Sequence, residues 1–206
     1  MTISNGNLSD ELNDTSNVLL LSPSITNHGD GVCNDLLTVT DPGRENVMWI
    51  TFTHSPDQRM DAWREHVDEG PARSRFISVG DITRSATSRS TPSADGGNFA
   101  VETVRQAGNL TSLGVSITKS LSELNEDDNK TVVCFHSLTA LLQYFNLKDT
   151  FQFLHVLVSH FKDKGAFAHF HLDPTACDEQ TMATITSLFD AVVEVDEEGS
   201  TNVLKA

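Results

Sequence analysis

Hydrophobic positions along this chain follow two patterns that take turns. Apolar stretches with little polar interruption occupy residues 18–21, 47–52, 76–79, 131–135, 166–172 and 191–195. Runs of that kind suit strands covered on both faces of a parallel sheet. Between them, apolar residues recur at helical spacing. Met60, Trp63 and Val67 mark a helix over 57–67, and Leu110, Leu113, Ile117, Leu121 and Leu124 mark another. A third is predicted over 138–145, a fourth over 148–164 with Phe151, Leu154, Leu157, Val158 and Phe161 on one side, and a last over 178–188. The punctuation agrees: Ser55-Pro56 and Asp178 stand where helices start, and Gly165 stands just past a helix end. Residues 201–204 read as a short antiparallel return at the sheet edge. Strands alternating with helices predict an α/β fold, a mostly parallel sheet with helices on both faces. One domain is expected over 18–206, preceded by a disordered acidic tail over 1–17, where few side chains are able to fill a core.

The run Thr131, Val132, Val133, Cys134, Phe135 stops abruptly at the polar pair His136-Ser137. The end of such a strand is where open α/β sheets hold their ligands. Farther on, His169 and His171 are two residues apart, so they share one face of their strand, with Asp173 just beyond. If His136 ends a neighbouring strand, three imidazoles converge, and neutral imidazole nitrogens suit zinc, copper or nickel. The plainer reading is a set of hydrogen-bonded structural histidines without a metal. Trp63 and Cys134 read as core residues, and His155 as a half-buried side chain.

The segment VVCFHSLTALL resembles the Walker B strand and following helix of the KaiC branch of the RecA-like ATPases, in which apolar residues lead into Asp-Ser and Leu-Thr-Ala-Leu. His136 stands at the Asp, which in that family lies beside the magnesium ion. The stretch VMWITFTHSPDQRMDAWREH is similar to the family strand that runs into Thr-Phe-Glu-Glu, with Thr53-His54 where the glutamates stand. In PSITNHGDGVCNDLL, where the family presents a glycine-rich phosphate loop and its lysine, Gly29 and Gly31 remain. The residues at the lysine's place are Val32, Cys33 and Asn34, beside Asp30. The resemblance covers roughly 18–195, and more narrowly the chain looks like the RecA-like proteins common in halophilic archaea. It implies a RecA-like three-layer sandwich and a degenerate nucleotide cleft bounded by Pro23, Ser24, Asn27, Gly29, Gly31, Asn34, His54, His136 and Ser137.

With the phosphate lysine, the magnesium carboxylate and the catalytic glutamate all replaced, the expected activity is non-enzymatic and no cofactor is expected. The protein is read as a protein-interaction, signalling or regulatory module, its partner another protein such as an active RecA/KaiC-like relative, or a further copy of itself. Two alternatives stand beside this: an atypical binder of ATP with magnesium or a weak ATPase, and a zinc protein using His136, His169 and His171.

Charge sharpens the picture. The chain carries 29 acidic against 14 basic residues, a formal net charge of -15 and a pI near 4.7. That balance disfavours nucleic acid and looks like the surfaces of proteins from halophilic archaea. Arg84, Arg89 and Arg105, in and near a loop over 80–97, form the one basic concentration, an anion or acidic-partner contact if it is not simply a solvated loop. The cysteines Cys33, Cys134 and Cys177 are odd in number and far apart, which fits a reducing cytoplasm. No stretch has the make-up of a signal peptide or a membrane span, so a cytoplasmic location is expected.

Overall fold

Among the described residues eight strands make one sheet. In chain order they are β1 (Asn17–Leu21), β2 (Glu45–Thr51), β3 (Arg73–Val79), β4 (Phe99–Val104), β5 (Lys130–His136), β6 (Phe167–Leu172), β7 (Ala191–Val195) and β8 (Thr201–Lys205). The computed structural model describes residues 8–26, 28–38, 42–80, 99–104 and 109–205. Across the sheet the order is β4-β3-β2-β5-β6-β1-β7-β8, parallel throughout except for the antiparallel β7–β8 pair. The helices are α1 (Leu8–Glu11), α2 (His28–Leu37), α3 (Pro56–His66), α4 (Leu110–Leu124), α5 (Leu138–Tyr144), α6 (Leu147–Asp163) and α7 (Glu179–Thr186). The arrangement is a three-layer α/β sandwich, as the alternation of elements predicts.

Strand parity sorts the side chains between the two faces. Leu19, Ile50, Val133, Phe135 and Phe170 point toward α4, α5, α6 and α7. Val18, Leu20, Val47, Trp49 and Cys134 point toward α1, α2 and α3. On this second face Trp49 stacks on Phe76 at 4.5 Å and meets Trp63 edge-on at 5.9 Å. Trp63 is the core residue its spacing predicts, and its Nε1 donates to the Glu69 carbonyl at 2.8 Å. Burying a side chain of this kind contributes about 1.5–3 kcal/mol relative to exposure.

The helix ends obey their local chemistry. Ser55 and Gln58 form a reciprocal capping box ahead of α3, with Pro56 in its first turn. Asn109, Ser137, Asn146 and Asp178 cap α4, α5, α6 and α7 through side-chain oxygens. Gly165, at φ 68°, turns the chain out of α6. The start of β1 is held by Asp190, whose carboxylate accepts from the backbone N–H of Ser16 at 3.0 Å and of Asn17 at 3.1 Å.

Besides α2, a helix that the apolar pattern does not assign, the chain departs from its sequence pattern in two places. The expected tail over 1–17 is too long, because from Leu8 the chain is folded: Leu8 and Leu12 are buried in the same cluster as Val18 and Leu20. Two leucines four residues apart share one helical face, which is sufficient to dock a turn whose remaining residues are polar. β4 is the second departure, an edge strand that the pattern does not reveal. Its residues are mostly half-exposed or exposed, so it lacks the apolar run of a central strand. The predicted basic cluster Arg84, Arg89 and Arg105 lies outside the described residues. Among the described residues no helix is long and apolar enough to cross a membrane.

Candidate functional site

The chain leaves β1 toward β2 on one side, and later leaves β6 for β7 on the other side of β1. A reversal of that kind opens a crevice at the carboxyl ends of the strands. The side chains that reach it come from β5 and β6, under the cover of α2 and α3.

Ala168, Phe170 and Leu172 fill the α4–α7 face, so His169 and His171 must point the other way, toward α2. Cys134 lies opposite His169 in the parallel β5–β6 ladder and shares that face. From above, the buried side of α2 brings in Cys33, whose Sγ lies 3.2 Å from His169 Nε2 and 3.6 Å from Cys134 Sγ. The rings then continue outward. His171 is 5.2 Å from His169 and 4.5 Å from His136, centroid to centroid, and His136 is 4.5 Å from His54. Arg59 of α3 completes the column, with Nη2 3.2 Å from His54 Nδ1 and Nη1 3.2 Å from Asp30 Oδ1. Outside it is an open depression of about 380 Å³ lined by Asp30, Gly31, Asn34, His54 and Arg59, among others.

The electrostatics divide this column into a neutral middle and a charged rim. Burial, then the Arg59 guanidinium and His54, push His136 down to about 3. Burial, then His136, hold His171 well below the ordinary histidine value, and burial and Arg59 lower His54. These rings are therefore neutral at physiological pH. Arg59 stays charged although burial disfavours it, because negative charge at Cys33 or Cys134, and the Asp30 carboxylate that accepts its hydrogen bond, favour the cation. The hydrogen bond with Cys134, and then burial, push the Cys33 thiol up. Burial would raise Cys134 as well, but its hydrogen bond with Cys33 and the charge of Arg59 outweigh that and lower it. Among the described residues, His136 Nδ1, His169 Nδ1 and His171 Nε2 are buried nitrogens without a hydrogen-bond partner. One donor atom each from Cys33, Cys134, His169 and His171 lies within 4.8 Å of all the others.

The residues singled out in the sequence scatter over several roles. Gly31, Asn34 and His54 line the depression, and His136 lies just behind it. Pro23 is buried, while the backbone N–H of Ser24 donates to Asp173 Oδ2 at 3.0 Å, fixing the turn after β1 to the end of β6. Gly29 is packed inside α2 instead of facing the cleft. Ser137, joined to His136 by a cis peptide bond, caps α5. Asn27 lies outside the described residues. Of the histidine trio, His169 and His171 join a four-donor cluster, whereas His136 neighbours it without belonging to it. Sequence reasoning missed Cys33 and Cys134 as partners of these histidines, since Cys33 lies 101 positions from Cys134 and 136 from His169. The usable signal was parity, which gives Cys134 the same strand face as His136.

Two solved structures share the fold. One is the Pyrococcus horikoshii OT3 protein PH0250, with 8% identity, a TM-score of 0.60, and coverage of 96% of this chain and 92% of that one. The other is the uncharacterized Pyrococcus horikoshii protein PH0321, solved in complex with an unknown peptide, with 12% identity, a TM-score of 0.63, and coverage of 97% and 88%. Comparison with curated proteins gives no match. At the level of sequence the relationship is definite: the family model DUF7504, a family of unknown function, matches residues 15–195, and the chain belongs to that family.

Proposed function

We propose that this protein is a non-catalytic RecA/KaiC-like domain that acts as a regulatory or signalling module through contacts with other proteins. The observation that carries this reading is the state of the crevice rim. A phosphate-handling site needs an uncommitted cation and a carboxylate that holds magnesium. Here the buried Arg59 is engaged by Asp30, and the ring at the end of β5 is a neutral imidazole. Asp30 in the first turn of α2 opposes the anion preference of a helix N-terminus. A unit negative charge 4 Å from a phosphate oxygen is unfavourable by about 1–4 kcal/mol over the dielectric range of water to protein surface. The retained strand and helix motifs favour descent from the ATPases, and the replaced charged groups favour loss of turnover.

On this reading the protein works in a reducing cytoplasm at high salt, and its acidic surface selects partners with basic patches. Calorimetric titration with ATP and magnesium in high salt tests the proposal. No saturable heat is expected at micromolar nucleotide. Saturable micromolar binding would overturn it in favour of the atypical nucleotide binder, in which Arg59 turns from Asp30 to phosphate.

A further inference from the structure

We infer that Cys33, Cys134, His169 and His171 form a closed, four-coordinate zinc site that pins α2 onto β5 and β6. This inference is independent of the non-catalytic reading, since the cluster lies behind the crevice rim and uses none of its residues.

Geometry carries the argument. Zinc bonds of about 2.3 Å to sulfur and 2.0–2.1 Å to nitrogen, set tetrahedrally, require sulfur–sulfur edges of about 3.8 Å and sulfur–nitrogen edges of about 3.5 Å. The observed separations are 3.6 Å for Cys33 and Cys134 and 3.2 Å for Cys33 and His169. All four donor atoms fall within 4.8 Å of one another, and the relative exposures are 0%, 1%, 0% and 7% in chain order.

Chemistry points the same way. Without a metal, His171 Nε2 has no hydrogen-bond partner among the described residues although it is buried. An orphaned buried polar atom of that sort costs about 1–3 kcal/mol. A zinc ion takes a lone pair from such a nitrogen and, with two thiolates, makes a site with no net charge, which a dry interior tolerates. Two thiolates with two imidazoles in a tetrahedral set select zinc over the harder cations, which prefer oxygen donors. Four protein donors leave no open position, so the site is structural and not hydrolytic.

The site also ties together parts of the chain that are remote in sequence. Cys33 reaches down from α2, Cys134 comes from β5, and both histidines come from β6. The ion thereby fixes the helix whose first turn carries Asp30 and Gly31 at the crevice rim.

The test uses the full-length chain without a histidine tag, purified under reducing conditions and analysed by elemental mass spectrometry. About one zinc per chain is expected, falling below about a tenth of an equivalent in Cys33→Ser and Cys134→Ser and remaining in Cys177→Ser. Should the serine variants fail to fold, wild-type protein exchanged with cobalt decides. The intense visible and thiolate-to-metal bands of a tetrahedral site are expected. Two results overturn the inference: wild-type protein that binds neither zinc nor cobalt, or zinc retained by the folded Cys33→Ser variant. Nucleotide calorimetry reads the rim and metal analysis reads the cluster behind it, so the two proposals fail separately.

Discussion

Replacing Gly29 with alanine tests why a glycine stands near the start of α2. A Cβ built there would lie 2.5 Å from Ser22 Oγ and 2.9 Å from Ser22 Cβ, and apart from its chain neighbours and its own helix backbone it meets nothing else within 4 Å among the described residues. Rotating the serine hydroxyl away relieves the first contact but not the second, because Ser22 Cβ moves only with the backbone. That backbone is held by the N–H of Ser22 donating to the Leu172 carbonyl at 3.2 Å. Either α2 lifts from the sheet or the end of β1 shifts, a kind of overpacking that costs about 1–3 kcal/mol. Alanine's better helix propensity returns up to about 1 kcal/mol. The net expectation is a loss of about 1–2 kcal/mol, read as a Tm lower by roughly 2–8 °C for a chain of this size. The decisive assay is a double-mutant cycle by urea denaturation in high salt. In a Ser22→Gly background both obstructing atoms are gone, so Gly29→Ala should be neutral or stabilising there, giving a coupling of about 2 kcal/mol. Equal costs in the two backgrounds would refute the steric account and return Gly29 to the role of a ligand-cradling glycine.

Gly31 lies in α2 with nothing among the described residues within 4 Å of a built Cβ, so Gly31→Ala should stabilise by about 0.5–1 kcal/mol. Lower stability of that variant would show that the space is not open. Asp190 is held below the ordinary carboxylate value: burial would raise it, but hydrogen bonds from Ser16 and Asn17 and the Lys162 ammonium prevail. Its contribution is therefore present above the unfolded value of 3.8 and lost as pH falls through the lower folded value. Asp190→Asn, able to accept but also forced to present N–H groups to N–H donors, should lose about 1–2 kcal/mol near neutral pH and show a flatter acid limb in urea midpoints. An unchanged acid limb would show that Asp190 does not report on folding. Strong chelation should lower the wild-type Tm and leave Cys33→Ser unaffected, and an identical Tm with and without chelator in wild-type protein would count against a structural metal.

How much of this was written in the chain depends on the range over which each feature is decided. Apolar runs, helical spacing and the helix starts at Ser55 and Asp178 are local, and they predicted the six central strands and the helices from α3 to α7 within three residues, while α2, polar and glycine-bearing at its start, was not assigned as a helix. Leu8–Glu11 escaped because two leucines do not register in the composition of a polar segment, and Phe99–Val104 escaped because an edge strand lacks a fully apolar run. The parity of His169 and His171 on one strand face was also legible, since it needs only a period of two. Which residues meet them was not. Strand order sets Cys134 opposite His169, and the crossing of α2 delivers Cys33 across 101 positions of sequence. Gly29, in the same way, reads as a phosphate-loop residue until Ser22 is seen against it. Local sequence determines what each segment becomes, because backbone and side-chain preferences act within a few residues. Contacts between segments belong to the tertiary structure alone, because they depend on how sheet and helices pack as a whole.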